Sequence, residues 1–343
     1  MVASVTQSFP PRSAARRVGH GFLTVVRTLR TNPLSFAGFI LVILLVVTAL
    51  VVSVDPSVLP YAPLKIFEGT PYQGPSSTHF FGTDELGRDV FSNVVAALPI
   101  DLSIGFLVAG SSLLFGGTLG VIAGYYNRPR SLGAVASTVI LRLTDLFLAF
   151  PSLVLALAFT VTLGRGLFQV VLAVFLTWWP FYVRLTRGEV LTVKNQLYVS
   201  AARAAGVTER RIVLRHVLRN ILEPLVVYFT LDVGTVIVTF STVAFVTSAL
   251  PYPTGGPPEW GAMITFYRTY VTTAPWTIAF PGIAIFVTVL AFSLLGDGLR
   301  DLLDPRSRRV IAQAPRPTGG IGGVVAPALN AEPESEDAAE AAA

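Results

Sequence analysis

Six stretches of this chain are apolar over the roughly 20 residues that a helix needs to cross a bilayer core about 30 Å thick. They are Pro33–Val54, Leu102–Tyr126, Ala134–Leu163, Leu167–Val183, Leu225–Leu250 and Trp276–Leu295. The hydrocarbon layer has no water to satisfy amide groups, so such segments fold as helices that bond internally. An all-α polytopic membrane protein with about six transmembrane helices is expected. Composition agrees, because 13% of the 343 residues are charged and 52% are hydrophobic. A soluble domain is about a quarter charged.

The chain has no cysteine and three dispersed histidines, His20, His79 and His216. Disulfides are excluded, and no Cys/His metal site is expected. The net charge of +5 fits arginine-rich inner loops, and no aromatic-interleaved basic platform points to nucleic acid.

The basic residues also orient the chain. If the segment before Pro33 lies in the cytoplasm, six crossings place 21 of the 25 Lys and Arg residues inside. Only Lys65, Arg88, Arg165 and Arg268 are left outside. That asymmetry predicts cytoplasmic N- and C-termini. The first apolar run is too long for a signal peptide and is read as an uncleaved anchor. Residues 1–32 form a cytoplasmic arm, 33–54 the anchor helix, 55–101 an extracytoplasmic loop, 102–298 the membrane core and 299–343 a cytoplasmic tail. From Pro315 the tail is rich in Pro, Gly and Ala, a composition expected to stay largely disordered.

The longest inner loop, residues 187–223, carries a pattern of its own. Ala201 and Ala205, like Ala202 and Gly206, are four apart and stack on one side of a helix. Gly206 is a natural stop for that helix and Thr208 an N-cap for the next. A short helix, a turn and a second helix are predicted. On the second, Ile212, Val213, His216 and Val217 make an apolar stripe, and Arg211, Arg215 and Arg219 recur on another face. The arginines suit phosphate headgroups or an acidic partner surface, and equally a solvated loop obeying the charge rule.

Ala201-Ala202 followed by Gly206, with His216 ten residues later, resembles the coupling loop of ATP-binding-cassette (ABC) importer permeases. Phe81-Gly82-Thr83-Asp84, with Gly87-Arg88-Asp89, is similar to a segment of the dipeptide, oligopeptide and nickel branch of that family, specifically its C-type permease subunit. Arg142 and Asp145 before Phe150-Pro151, Trp260-Gly261, and the run from Gly296-Asp297-Gly298 through Arg300 to Asp304-Pro305 extend the resemblance over Phe36 to Arg306. Ser200 stands where the family often has glutamate, and Arg219 where this branch usually has proline. The fifth span diverges as well, at Thr239-Phe240-Ser241 and Ala244-Phe245-Val246-Thr247.

The resemblance implies a type I ABC importer permease fold and a non-catalytic chain forming half of a translocation path. The implied partners are a B-type permease in a heterodimer, two cytoplasmic ATPase domains that bind ATP with Mg, and an extracytoplasmic substrate-binding protein. The implied ATPase-docking residues are Ser200, Ala201, Ala202, Arg203, Ala205, Gly206, Arg211, Arg215, His216 and Asn220. Peptide is the implied cargo, with nickel, haem, glutathione and glycosides as the alternatives that related systems carry.

Other residues bear on chemistry. Lys65 and Lys194 follow Leu64 and Val193, so no phosphate-binding loop of the Gly-x-x-x-x-Gly-Lys type exists and no cofactor is expected on this chain. Neither a Gly-x-Ser-x-Gly elbow nor a His-Glu-x-x-His motif is present. The charged groups of the Phe81–Asp89 segment are read as local hydrogen-bonding partners, and Arg142 and Asp145 as an i,i+3 ion pair or a gate, with Pro151 kinking the helix. Asp232 lies in an otherwise apolar run and is expected to face a partner, a polar neighbour or the water-filled path, where it could meet a cationic cargo group. A lone acid in a span also suits an ion-coupled secondary transporter.

Overall fold

The computed structural model describes residues 32–127, 131–250, 252 and 258–303. Arg128, Arg130, the arm, Asp304, Pro305 and the tail lie outside the described residues. Among those described, the chain is helical, with a single isolated bridge between Thr83 and Asp89. The long helices are α1 (Pro33–Val54), α2 (Val90–Tyr125), α3 (Leu132–Leu148), α4 (Ser152–Leu163) and α5 (Leu167–Lys194). A short α6 (Leu197–Ala204) precedes α7 (Glu209–Thr247), α8 (Trp260–Tyr267) and α9 (Trp276–Leu303).

Close packing of α2 against α5 organises the bundle. Gly116, Gly120 and Gly124 repeat every fourth residue and bring the two backbones together, the small-residue device that substitutes for a hydrophobic driving force in lipid. Gly116 abuts the Trp179 carbonyl, a Cβ on Gly120 would lie 2.8 Å from the Val183 oxygen, and one on Gly124 would lie 2.9 Å from Val190 Cγ1. Residue numbers rise together along the two helices, so α2 and α5 are parallel. The chain between them must return the full length of the bundle.

That return is made by α3 and α4, which are bent by 89° at Ala149–Pro151. Pro151 caps α4 and has no N–H with which to continue α3, so the expected kink is a full break. The pair counts as one crossing, and six crossings follow. Gly105 packs on Ile237 and Val233, Gly234 on Val289, and Gly296 on Leu231. Hence α7 runs antiparallel to α2 and α9 antiparallel to α7.

Element ends differ from the expected spans. Helix α2 starts at Val90, twelve residues before Leu102, because the Asp89 carboxylate caps it by accepting the Ser92 N–H at 2.7 Å. At about 1.5 Å per residue, α2 and α7 measure roughly 54 and 58 Å, well beyond a 30 Å core. Both project into the polar end regions. Helix α1 buries only Ser35, Gly38, Ala49 and Val52 and presents Leu44, Val47 and Leu50 outward, the pattern of a lipid-facing helix.

The α2/α5 ridge yields a direct test. Gly120→Leu forces a side chain into backbone, beyond the ordinary overpacking cost of about 1–3 kcal/mol. Gly282→Leu meets nothing within 4 Å. Fluorescence-detected size exclusion of detergent extracts is expected to show loss of the monodisperse peak for the first variant and not the second.

Candidate functional site

The inner loop folds as a helix, a turn and a second helix. α6 ends at Ala204 with Ala205 as its C-cap, and Gly206 takes the left-handed φ of +77° that a side chain disfavours. α7 then starts at Thr208, whose side chain makes no capping bond. Val199, Ile212, Val213, Val217 and Ile221 bury against Tyr125 and Val190 and fasten the loop to the inner ends of α2 and α5. Polar contacts lock the same junction. The Tyr125 hydroxyl donates to Glu209, Arg203 Nε donates to Glu209 Oε1 at 3.2 Å, and Lys194 Nζ donates to the Tyr125 carbonyl at 2.7 Å. Hydrogen bonds with Tyr125 and Glu209 hold the Arg203 guanidinium above its ordinary pKa, so it stays charged.

This packing decides which residues face outward. Ser200, Ala201, Arg203, Ala205 and Gly206 are exposed, and so are Arg211, Arg215 and Asn220. Ala202 instead packs on the loop's own core. The small-residue face is therefore narrower than the four-residue spacing suggested, because Ala202, three residues after the buried Val199, shares the face of α6 that packs on this core. His216 is half-buried with its ring 6.4 Å from that of Tyr198, and Asn220 donates to the His216 carbonyl. Val213–Val217 forms a π turn inside α7, a distortion frequent at functional sites.

Asp232 sits midway along α7, half-buried, with Oδ2 accepting from Trp178 Nε1 at 2.7 Å and from the Tyr182 hydroxyl at 2.8 Å. The polar neighbour is thus found within the chain, on α5. The i,i+3 pair is not formed as expected. Asp145 bonds Arg184 Nη2 at 2.7 Å, because α3 crosses α5 with this carboxylate toward Arg184 rather than toward Arg142 on its own helix.

At the opposite end the Phe81–Asp89 segment is a buried lattice. Asp84 Oδ1 accepts the Leu86 and Arg88 N–H groups at 2.9 Å each, while Oδ2 accepts from Arg88 Nε at 2.5 Å and from the Tyr267 hydroxyl at 2.7 Å. The Arg88 guanidinium lies 5.7 Å from the ring centroids of Tyr252 and Phe266, within cation–π range. His79 Nδ1 is 2.9 Å from Asp89 Oδ1. Phe81 stacks on Phe280 at 3.8 Å, and Gly82 and Gly87 take the positive φ of the tight turns. Trp260 Nε1 donates to the Val94 carbonyl at 2.9 Å, and Gly261 lies against the Ser241 backbone. Within α9, Gly296 and Gly298 are buried, Asp297 and Arg300 exposed.

Residues 116–309 match the family described as binding-protein-dependent transport system inner membrane component. The chain belongs to that family. It is 36% identical to the dipeptide transport system permease protein DppC of Alkalihalophilus pseudofirmus over 289 residues, 82% of this chain and 89% of that protein. It is also 36% identical to the probable D,D-dipeptide transport system permease protein DdpC of Escherichia coli, over 90% of this chain and 98% of the relative. The glutathione transport system permease protein GsiD of Pectobacterium atrosepticum is 40% identical over 68% of this chain and 75% of its own length. In fold, a chain of the MetNI methionine ABC transporter in an inward facing conformation superposes with a TM-score of 0.51 at 20% identity, over 62% of this chain and 98% of that one. This protein is a multi-pass permease subunit of an ABC importer.

Several residues of this permease's polar clusters carry no motif in the sequence. Trp178 and Tyr182 are found only because they meet Asp232 across two helices. Tyr125 and Glu209, 84 residues apart, meet only in the folded chain. Glu259, by contrast, belongs to the Pro258-Glu259-Trp260-Gly261 run that resembles the family pattern: fully buried, it accepts from Gly261 N at 2.8 Å, Ala262 N at 2.6 Å and Ser241 Oγ at 3.1 Å, capping α8.

The Asp232 cluster predicts an ordered pair of effects. Asp232→Ala strands two donors, at about 1–3 kcal/mol for a buried unsatisfied group. Asp232→Asn keeps an acceptor for both. Thermal unfolding in detergent followed by tryptophan fluorescence is expected to show a clear drop in Tm for the alanine variant and a much smaller one for asparagine.

Proposed function

We propose that this permease forms half of the path for di- and oligopeptides in an importer driven by ATP. A binding protein delivers the cargo, a B-type permease supplies the other half of the path, and two ATPase domains dock on the inner loop. The cargo reading is supported by the names of the relatives above, all peptide or glutathione permeases. Nucleotide and Mg belong to the ATPase partners. The chain lies in the bacterial cell membrane with both termini in the cytoplasm.

The observation that carries the coupling role is the continuity of α7. One helix of 39 residues runs from Glu209, beside the exposed face of α6, to Thr247 at the far end of the bundle. A partner that moves α6 also moves Glu209 through Arg203 and Tyr125, and hence tilts α7. Asp232 is on that same helix, so motion at the loop reaches the polar cluster in the membrane. The π turn and Pro224 lie between them and are the places where the helix can bend.

The docking role is tested at Ala201, whose exposed side chain supports nothing within this chain. Gly206 is a poorer probe, because its positive φ strains any replacement. Ala201→Trp is expected to leave yield and monodispersity unchanged while lowering ATPase co-purification and peptide uptake at least tenfold. Unchanged co-purification in that variant sinks the docking assignment. Orientation is tested separately by reporter fusions. Fusions after Arg17, near Arg128, within 194–219 and after Arg309 are expected to report cytoplasm. Those near Gln73 and Gly255 are expected to report the outer side, and a reversal at any inner site would overturn the orientation.

A further inference from the structure

The ends of α5, α7 and α9 nearest the 187–223 loop frame a half-open cavity of about 260 Å³ lined by Glu189, Glu223, Pro224, Val227, Tyr228, Leu231, Arg300 and Leu303. Its three charged groups come from three different helices. Among the described residues none of the three forms an ion pair or a side-chain hydrogen bond. Glu189 is half-buried, and Glu223 and Arg300 are exposed. Two carboxylates and a guanidinium thus share one apolar-walled recess without neutralising each other. Such an arrangement offers separate places to a cation and an anion borne by one ligand.

The cavity continues the Asp232 cluster. Trp178, Tyr182, Leu185 and Glu189 fall at i, i+4, i+7 and i+11 and share one face of α5. On α7, Tyr228 is four residues from Asp232 and Leu231 adjoins it, and both line the cavity. Glu223 lies nine residues before Asp232, roughly 13 Å along the helix at 1.5 Å per residue. Asp232 and the cavity therefore share α5 and α7, with Asp232 and Glu223 about two and a half helical turns apart. The volume is a little below the roughly 300–1,000 Å³ of sites for drug-sized ligands, a size suited to a ligand of about two amino-acid residues.

We propose that this cavity is an inner-mouth binding site for a small zwitterion with a free ammonium group. Glu189 and Glu223 take the ammonium and Arg300 takes the carboxylate. The ligand is cargo leaving the path, which rests on the peptide-importer reading above. A phosphatidylethanolamine headgroup carries the same pair of charges and is the competing source.

The test uses the complete complex, with its partner permease and ATPases, in phosphatidylglycerol nanodiscs without nucleotide. Equilibrium binding of radiolabelled dialanine, N-acetyl-dialanine and dialanine amide is measured. A lost charge-assisted hydrogen bond corresponds to about tenfold or more in affinity. Glu189→Gln and Glu223→Gln are each expected to weaken dialanine by that factor and to leave N-acetyl-dialanine unchanged. Arg300→Gln is expected to weaken dialanine and spare the amide.

No dialanine binding by the wild type, or equal affinities in wild type and variants, overturns the site. So does a phosphatidylethanolamine occupant, seen as loss of dialanine affinity in discs containing that lipid together with lipid retention that depends on Glu189 and Glu223. ATP-driven dialanine uptake into proteoliposomes with the binding protein separates the two ideas. Absent uptake with intact Glu-dependent binding removes the peptide-importer reading and leaves the site. Normal uptake with unaltered binding in the Gln variants removes the site and leaves that reading.

Discussion

The parallel contact of α2 with α5 governs the rest of this permease. A glycine every fourth residue lets two backbones touch, and in lipid that contact is rewarded by dispersion rather than by expulsion of water. Because the two helices run in the same direction, the segment between them must cross the membrane. The 89° break at Pro151 therefore interrupts a crossing and is not a hairpin. The contact also brings Tyr125 and Lys194 together at one end of the bundle, and the 187–223 loop is built on that junction.

Two fixed ends follow from this arrangement. The end opposite the 187–223 loop is a buried lattice in which Asp84 accepts from Arg88 Nε and the Tyr267 hydroxyl and Trp276 Nε1 donates to the Thr83 carbonyl at 3.0 Å. Its charges are costly to bury, and once buried a pair is costly to break because one partner would be left uncompensated, so the lattice holds the loop against α8 and α9. The inner end is apolar beneath, with Val199, Ile212 and Val217 fully buried, and small and basic on its exposed surface. One end is built for rigidity, and the other presents a surface. α7 joins them and carries Asp232 between.

Much of the candidate site was legible because it rests on local rules. Gly206 as helix stop, the buried Ile212–Val213–Val217 stripe and the exposed arginines follow from periodicity and glycine's freedom. Departures came where a partner on another helix decided the outcome. Asp145 took Arg184 in place of Arg142, and Ala202 turned inward against the apolar cluster that Ile212 and Val217 of α7 help to build. The π turn at Val213–Val217 leaves no trace in composition or spacing.

The sequence by itself determined the membrane class, the apolar spans, the positions of the 187–223 loop and of the Phe81–Asp89 motif, and the family. These depend on hydrophobic length, on the distribution of arginines and on short glycine-punctuated motifs, all properties of neighbouring residues. Tertiary structure alone decided that α2 and α5 run parallel, that Trp178 and Tyr182 hold Asp232, that Tyr125 reaches Glu209, and that Glu189, Glu223 and Arg300 ring one cavity. Each is a meeting of side chains tens of residues apart. Such meetings are set by which helix faces pack together, and in a chain where nearly every face is apolar the pattern of residues does not specify that choice.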